Sequence, residues 1–372
     1  MQLPSVPLED WMRGYYFDNR YDLGSSGLKN FSLADIRARL GITAQELDEV
    51  VFDDSYTTGS LGLRRAIAAR WGNGDPEWVL AANGSNEAGF LIMTNLLRPG
   101  DEVVVLDPIY HTLCNIAATI GCKVVPWPLR PERGFRPDLD ELQSLLTPKT
   151  RMVAVNFPHN PTGMSLTSSE YDQLIDIVSA TGAYLAWDAA FEEMVYTGDP
   201  LPNPVSTYDR AISMGTLSKG YGLAGLRVGW CIAAPELLAG CMRIRDYTSL
   251  YLSPLVEMIA QRAVEKADLL LGAQFPWACR NLDILADWVE AHPSRVQWHR
   301  PMGGVTALVR LLGMDDTETF CKSLSSEKGV MLVPGNCFKF PGHVRLGFGT
   351  PTDYFRKGLA RLTEFLMAWP KT

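Results

Sequence analysis

Between about residues 60 and 235, short apolar segments alternate with helical ones, and this alternation restricts the possible fold more than any other feature of the sequence. The apolar segments, such as EVVVLD, RMVAVNF and YLAWDAA, have the length of strands and end near polar residues or glycine. The segments between them, such as NEAGFLIMTNLL and HTLCNIAATIG, have the length and apolar spacing of helices. This pattern predicts a mostly parallel sheet covered by helices on both faces. Ligands of such sheets bind at the carboxyl ends of the strands, so we expect the functional residues just after them.

The pattern changes after about residue 262, where a long helix through WACRNLDILADWVEAH precedes grouped strands and helices. Strands and helices without strict alternation are typical of a smaller α+β domain. We therefore predict an N-terminal arm with part of the small domain over residues 1–48, a large α/β domain over 49–262 and a small C-terminal domain over 263–372.

Composition excludes several classes of function. The net charge of −8 argues against a nucleic-acid partner and against binding to an anionic membrane surface. No apolar run is long enough to span a bilayer, and the start of the chain does not resemble a signal peptide. The seven cysteines are scattered without a CxxC pair, which predicts reduced thiols in a cytoplasmic protein. The five histidines show no metal-binding spacing, so no metal is expected.

One lysine, Lys219, lies in the glycine-rich segment GTLSKGYGLAGLRVGW. The glycines permit the backbone to approach a bound group closely. The hydroxyls of Thr216 and Ser218, together with the guanidinium of Arg227, suit a phosphate. A lysine amine whose pKa is lowered in such a pocket can form a Schiff base. The alternative is an ordinary lysine at a helix N-terminus after a Ser/Thr cap.

Four further residues lie where the predicted strands end. Asp188 ends AYLAWD and either caps a helix or holds the proton of a pyridinium nitrogen. Asn160, in NFPHNPTG, belongs to an Asn-Pro turn or donates from its amide to a phenolate-type oxygen. Tyr110 is either a core aromatic or a ring stacked on a planar cofactor. In NGSNEAG, Ser85 and the amides of a helix N-terminus could bind phosphate.

Together these motifs resemble the fold-type I pyridoxal 5'-phosphate (PLP) enzymes, and among them the class I and II aminotransferase family, over nearly the whole chain. The resemblance implies PLP as cofactor, a small-molecule amino-acid substrate and a homodimer. It implies that Lys219 is the Schiff-base lysine and Asp188 the partner of the pyridine nitrogen, both catalytic. Asn160 would donate to the ring oxygen, Tyr110 would stack on the ring, and Arg345 would pair with the substrate's α-carboxylate. The implied phosphate cup comprises Ser85, Asn86, Thr216, Ser218 and Arg227.

Two positions depart from the family pattern. The family usually has a tyrosine three residues after the aspartate, whereas this chain has Phe191. The hydrogen bond from that tyrosine to the ring oxygen should therefore be missing. Tyr56 resembles the tyrosine that a neighbouring subunit lends to the phosphate, but its spacing to GLRRAIA is shorter than usual.

The N-terminal segment distinguishes among the reactions of the family. LEDWMRGYYF and DLGSSGLKNFSL resemble capreomycidine synthases and the related cyclase of streptolidine formation, which serve antibiotic biosynthesis. These enzymes eliminate the hydroxyl of a β-hydroxylated arginine and close a ring between a guanidine nitrogen and the β-carbon. The resemblance assigns Gly27 to substrate binding, while Glu9 and Asp10 are acidic residues of the same segment that solvation explains equally well. Plain transamination with a keto-acid acceptor, another PLP reaction and a catalytically silent PLP-fold protein are the alternatives.

Overall fold

The computed structural model describes residues 3–370. Its strands are, in chain order, β1 (Tyr21–Asp22), β2 (Val79–Ala82), β3 (Glu102–Asp107), β4 (Lys123–Pro128), β5 (Thr150–Asn156), β6 (Tyr184–Asp188), β7 (Ala211–Thr216), β8 (Gly229–Ile232), β9 (Val296–Trp298), β10 (Thr306–Leu311), β11 (Val330–Met331), β12 (Val333–Pro334) and β13 (His343–Gly347). Its α-helices are α1 (Pro7–Tyr15), α2 (Leu33–Leu40), α3 (Ala44–Asp48), α4 (Leu61–Trp71), α5 (Ser85–Leu96), α6 (Thr112–Ile120), α7 (Leu139–Leu145), α8 (Ser168–Thr181), α9 (Pro235–Arg245), α10 (Pro254–Glu265), α11 (Ala267–Ala291), α12 (Thr317–Lys328) and α13 (Thr352–Ala368).

The predicted mostly parallel sheet is present and has seven strands in the order β2-β8-β7-β6-β5-β3-β4. Alternate residues of β3 enter different hydrophobic cores: Val103 and Val105 pack on one face, while Val104 and Leu106 pack on the other. Helices therefore cover both faces, which explains why these strands are continuously apolar. The sequence pattern did not predict the direction of β8, which runs antiparallel to both of its neighbours.

The C-terminal part contains a second, antiparallel sheet with the order β12-β13-β10-β9. It forms a separate hydrophobic core with α11, α12 and α13. Helix α11 begins ten residues before the segment that predicted it and continues through Pro276. Helix α11 contributes to both hydrophobic cores. Near its start, Ala267 and Leu270 belong to the core of the large sheet, while further along Ala278 and Leu282 belong to the core of the small sheet.

The N-terminal arm contacts both parts of the protein. Strand β1 pairs in parallel with β11, and Leu8 and Trp11 of α1 are buried in the core of the small sheet. Helix α2 instead buries Ile36 and Leu40 in the core of the large sheet. The arm thus passes from one part to the other, and the three-part division at residues 48 and 262 stays a prediction.

In the portion of the chain from residue 3 to 370, no helix combines the length and the apolar character that a membrane crossing requires.

Candidate active site

Two connected cavities lie where the large sheet, the small sheet and the N-terminal arm meet. The inner one is a small polar pocket at the carboxyl ends of the strands, where the parallel topology brings loop residues together. The outer one has a volume of about 740 Å³ and is bounded on one side by the arm. The two cavities share Tyr110, Asn160, Ser218 and Lys219.

The structure brings all the predicted site residues to these cavities. Gly27 and Arg345 line the outer cavity. The others line the inner pocket, namely Ser85, Asn86, Tyr110, Asn160, Asp188, Thr216, Ser218, Lys219 and Arg227.

One end of the inner pocket is suited to an anion. Helix α5 begins at Ser85 after Gly84, which has a φ of 83° and supplies no side-chain cap, so the first amides of the helix keep their donor capacity. A Cβ at Gly84 would clash with Arg227 Nη2, so the guanidinium can keep this position only beside a glycine. Arg227 Nη1 also donates to Ser218 Oγ at 3.4 Å, and Thr216 Oγ1 donates to the same oxygen at 3.0 Å.

Asp188 is the buried acid at the end of β6. Its carboxylate accepts a hydrogen bond from the Ala190 amide at 3.0 Å. Burial raises the pKa of Asp188 to about 6, although the Ala190 amide and the Lys219 ammonium oppose this change. A cationic nitrogen placed beside this carboxylate would relieve the cost of burying the charge.

Lys219 reaches the boundary between the two cavities. Its Nζ donates to Ser26 Oγ of the N-terminal arm at 3.0 Å and lies 6.0 Å from the centre of the Phe191 ring. Burial, followed by the positive charge of Arg345, lowers the pKa of Lys219 to about 8. A lysine amine in this state is neutral more often than an ordinary one at neutral pH, which makes it a better nucleophile and base.

Asn160 and Arg345 form a connected pair between the cavities. Arg345 is 2% exposed and donates from Nε and Nη2 to the Gly24 carbonyl at 3.0 and 2.7 Å. Its Nη1 donates to Asn160 Oδ1 at 3.2 Å, which leaves the amide nitrogen of Asn160 as the donor for a ligand. Burial lowers the pKa of Arg345 to about 10, so the guanidinium keeps its charge at neutral pH.

Tyr110 connects the inner pocket to helix α1. Its hydroxyl donates to Glu9 Oε1 at 3.0 Å and accepts a hydrogen bond from Asn86 Nδ2 at 3.3 Å. Burial, followed by the negative charge of Glu9, raises the pKa of Tyr110, which keeps the phenol protonated. Glu9 and Asp10, the two adjacent acids of α1, differ in position. Glu9 lines the outer cavity, whereas Asp10 does not and pairs with Arg13.

Sequence reasoning assigned no role to several residues that hold this arrangement together. The side chain of Asn156 donates to the backbone carbonyl of Asp188 at 2.9 Å and accepts from the backbone N–H of Asn160 at 2.8 Å. His159 Nε2 donates to the Pro108 carbonyl at 2.7 Å, so its Nδ1 accepts from the Thr162 hydroxyl at 2.8 Å. The position of Asn156 at a strand end could have revealed it. The contact of Ser26 with Lys219 joins residues 193 apart in sequence, and no local pattern predicts it.

The inner pocket suits PLP in its chemistry. The helix N-terminus with Ser85, Ser218 and Arg227 would hold the phosphate. Asp188 would face the ring nitrogen, and Lys219 would reach the aldehyde. The close approach of Arg227 to Gly84 supports this fit, since a side chain at that glycine would fill the anion-binding end.

Comparison with known proteins agrees with this geometry. The family model described as aminotransferase class I and II matches residues 53–362. The chain belongs to the class I and II aminotransferase family. This confirms the resemblance that the motifs indicated and the fold class that they predicted.

The chain is also similar to individual members of the family over most of its length. The chain is 43% identical to capreomycidine synthase from Streptomyces vinaceus, over 98% of this chain and 94% of that protein. It is 31% identical to arginine–pyruvate transaminase AruH from Pseudomonas aeruginosa, over 82% of this chain and 80% of that one. The crystal structure of the PLP-dependent cyclase OrfR superposes with a TM-score of 0.94 at 43% identity, covering 99% of this chain and 98% of that one.

Proposed function

We propose that this protein is a PLP-dependent cyclase that converts a β-hydroxylated arginine into a cyclic guanidino amino acid, as a capreomycidine synthase-like enzyme of antibiotic biosynthesis. The observation that carries the proposal is the extent of the similarity to capreomycidine synthase. The family match begins at residue 53, whereas the similarity to that synthase covers 98% of the chain and so extends into the N-terminal arm. The arm lines the outer cavity, where the substrate side chain would lie.

Binding of the substrate uses residues from both parts of the protein. Arg345 would pair with the α-carboxylate, and Asn160, held by Arg345, would keep its amide directed to the ring oxygen of the cofactor. Gly27 lies against the Lys219 loop, because the next residue, Leu28, donates from its amide to the Lys219 carbonyl at 3.0 Å. A Cβ at Gly27 would approach the Ser218 carbonyl to 3.3 Å, so a side chain would crowd this edge of the substrate cavity.

The residues at the boundary between the cavities supply the proton transfers. When bound, PLP supplies an aldehyde for the substrate amine and a ring that accepts electron density, provided that Asp188 keeps the ring nitrogen protonated. The neutral amine of Lys219 would take the α-proton and then deliver it to the departing hydroxyl, which leaves as water. A guanidine nitrogen would then bond to the β-carbon and lose a proton, while the α-carbon regains one. The product is lighter than the substrate by one water, and no electrons are gained or lost.

Transamination is the second candidate, favoured by the 31% identity to arginine–pyruvate transaminase. Both reactions use Lys219, Asp188 and Arg345 in their early steps. They differ in stoichiometry, because transamination consumes a keto acid whereas elimination with ring closure does not. The presence of the lysine, the aspartate and the arginine in one site argues against a catalytically silent PLP-fold protein.

The test is to supply 3-hydroxyarginine to the holoenzyme without any keto acid and to identify the products by mass and NMR. We expect sustained formation of a cyclic product lighter by one water, with no accumulation of pyridoxamine phosphate. Turnover that stops after one equivalent and resumes on addition of 2-oxoglutarate or pyruvate would establish the transaminase instead. If the cyclase proposal is right, a parallel reaction with arginine and 2-oxoglutarate should not convert arginine into its keto acid.

We also propose that the protein is a homodimer in the cytoplasm. Of the eleven exposed large apolar side chains among the described residues, six lie in two segments, residues 51–61 and 247–251. The Tyr251 hydroxyl donates a hydrogen bond to Asp54 and so links the two segments. Tyr56 is 70% exposed and lines neither of the two cavities, so within its own chain it has no place in the site. In a dimer this surface would be covered, and Tyr56 would be available to the neighbouring subunit's phosphate.

A further inference from the structure

Two acidic side chains, Glu9 and Asp22, line the outer cavity, and the reaction steps use neither of them. Glu9 lies on α1 and lines this cavity together with Tyr110, Lys219 and Arg345. The volume of about 740 Å³ is ample for an amino acid with a long side chain. A ligand held at its α-carboxylate by Arg345 and at its amine near Lys219 therefore has room to extend its side chain along the arm.

Packing of α1 fixes the direction in which Glu9 points. Leu8 and Trp11 are buried at 6% and 7% exposure, and Trp11 Nε1 donates to the Leu332 carbonyl at 2.8 Å. The helix is thus anchored on both sides of Glu9. The neighbouring Asp10 does not line the cavity, although its ion-pair partner Arg13 does.

The Glu9 carboxylate accepts one hydrogen bond, from Tyr110, and within residues 3–370 no basic group lies at ion-pair distance from it. A carboxylate offers about four acceptor positions, so most of its capacity is unused. The other acid that lines the outer cavity, Asp22, accepts from the amides of Gly24 and Ser25 at 2.9 Å with one oxygen. Glu9 therefore accepts fewer hydrogen bonds than Asp22 does.

The charge of Glu9 is felt by other groups of the cavity. The negative charge of Glu9 raises the pKa of the Tyr110 phenol and contributes in the same direction to Lys219 and Arg345, so it acts over the whole cavity. Arg13 and Lys29 of the arm line the same cavity, but neither lies at ion-pair distance from Glu9, and Arg13 is paired with Asp10. A guanidinium, which is planar and donates two parallel hydrogen bonds, matches a carboxylate better than any other cationic group does.

We propose that Glu9 is the residue that binds the guanidinium of the substrate and selects arginine-type side chains over neutral ones of the same length. This inference rests on the proposed function for the identity of the substrate. It adds a specificity role for the arm: α1 supplies the carboxylate, and Tyr110 holds that carboxylate in place from the side of the cofactor pocket.

The experiment compares binding of L-arginine and L-citrulline to the holoenzyme by isothermal titration calorimetry. Citrulline has a neutral urea group in place of the guanidinium, and neither compound carries the β-hydroxyl needed for elimination. The wild-type protein should bind arginine more tightly than citrulline. In Glu9→Gln we expect arginine affinity to fall about 10- to 100-fold, the scale of a lost charged hydrogen bond, with citrulline affinity nearly unchanged.

Two further variants complete the test. Asp10→Asn is the matched control, because it neutralises the adjacent acid on the same helix, and it should keep the arginine preference. Asp22→Asn tests the other acid of the cavity. The proposal would be overturned by a Glu9→Gln protein that keeps its preference, by loss of the preference in Asp22→Asn alone, or by a wild-type protein that binds both compounds equally. If the preference depends on Glu9 but hydroxyarginine is not cyclised, only the proposed reaction is wrong.

Discussion

At the residue scale, the site is organised around buried charges whose pKa values are shifted in opposite directions. Burial disfavours the charged form of every group, so it raises the pKa of Asp188 to about 6 and lowers that of Lys219 to about 8. The two groups thus titrate close to neutral pH before any ligand is bound. Perturbed pairs of this kind are a feature of reactive sites.

The lowered pKa of Lys219 predicts how the cofactor-free protein takes up PLP. The neutral amine is the reactive form, so covalent attachment should accelerate as pH rises through about 8 and then level off. Between pH 7 and pH 9 we expect a rate increase of about tenfold, measured by stopped-flow absorbance. A rate that continues to climb up to pH 10 would indicate an ordinary lysine. Borohydride reduction and peptide mapping should locate the cofactor on Lys219, and Lys219→Ala should carry no label.

Much of this residue-scale picture could be predicted from the sequence. The glycine-rich lysine segment, the aspartate at a strand end and the Asn-Pro turn each have a local pattern. The contacts between distant segments have none. Ser26 with Lys219, and Glu9 with Tyr110, join residues 193 and 101 positions apart, and only the folded chain brings them together.

At the element scale, the strands of the large sheet were predictable because burial on both faces makes them continuously apolar. The antiparallel direction of β8 was not, because an apolar strand has the same composition in either direction. Pro276 does not end α11, although a proline usually interrupts a helix. The position of α1 over the outer cavity depends on its anchor in the small sheet, which is remote in sequence.

The anchor of α1 can be tested with Trp11. Trp11→Ala removes the stacking on Tyr15, where the ring centres are 4.1 Å apart, and the hydrogen bond to the Leu332 carbonyl. Truncation of a buried aromatic costs about 3–5 kcal/mol, which here weakens the docking of α1. We expect the KM for the amino-acid substrate to rise at least about tenfold, and hydrogen exchange over residues 7–15 to accelerate.

Two controls separate this effect from general destabilisation. Trp11→Phe keeps an aromatic ring and loses the hydrogen bond and part of the ring, so its KM should change less. Leu269→Ala alters a side chain of α11 that is 53% exposed and lines neither cavity, so it should leave KM and exchange over residues 7–15 unchanged. Normal KM and normal exchange in Trp11→Ala would show that α1 does not depend on this anchor.

At the scale of the whole molecule, the site lies between parts that have separate hydrophobic cores. Asp188 ends β6 of the large sheet and Lys219 follows β7 of the same sheet. Arg345 belongs to β13 of the small sheet, and the arm lines the cavity beside all three. The sequence predicted the two kinds of domain, since alternation and its loss are visible along the chain. It did not predict that the arm crosses from one to the other, because that path depends on pairing between β1 and β11.

An exposed apolar surface predicts that the protein assembles with a second copy of itself. Among the described residues, Phe52, Tyr56 and Tyr247 expose 74%, 70% and 92% of their surface, in two segments that contact each other. Exposed apolar side chains grouped in this way mark an interaction surface, and a second copy of the chain is the proposed occupant. Sedimentation of the holoenzyme at micromolar concentration should give about twice the chain mass of 41.2 kDa. Phe52→Glu places a charge in that surface and should raise the dimer dissociation constant about 30-fold or more.

Matched variants decide whether the surface and the site depend on each other. Met367→Glu introduces the same charge at a side chain that is 56% exposed on α13, and it should remain dimeric.

Tyr56→Phe removes only a hydroxyl, so the dimer should persist. If Tyr56 reaches the neighbouring subunit's phosphate, this variant should lose PLP faster on dialysis, because one hydrogen bond to a charged group is missing. A monomeric wild-type protein with full activity would rule out the dimer. A Tyr56→Phe dimer that retains PLP as well as the wild-type protein does would remove Tyr56 from the site.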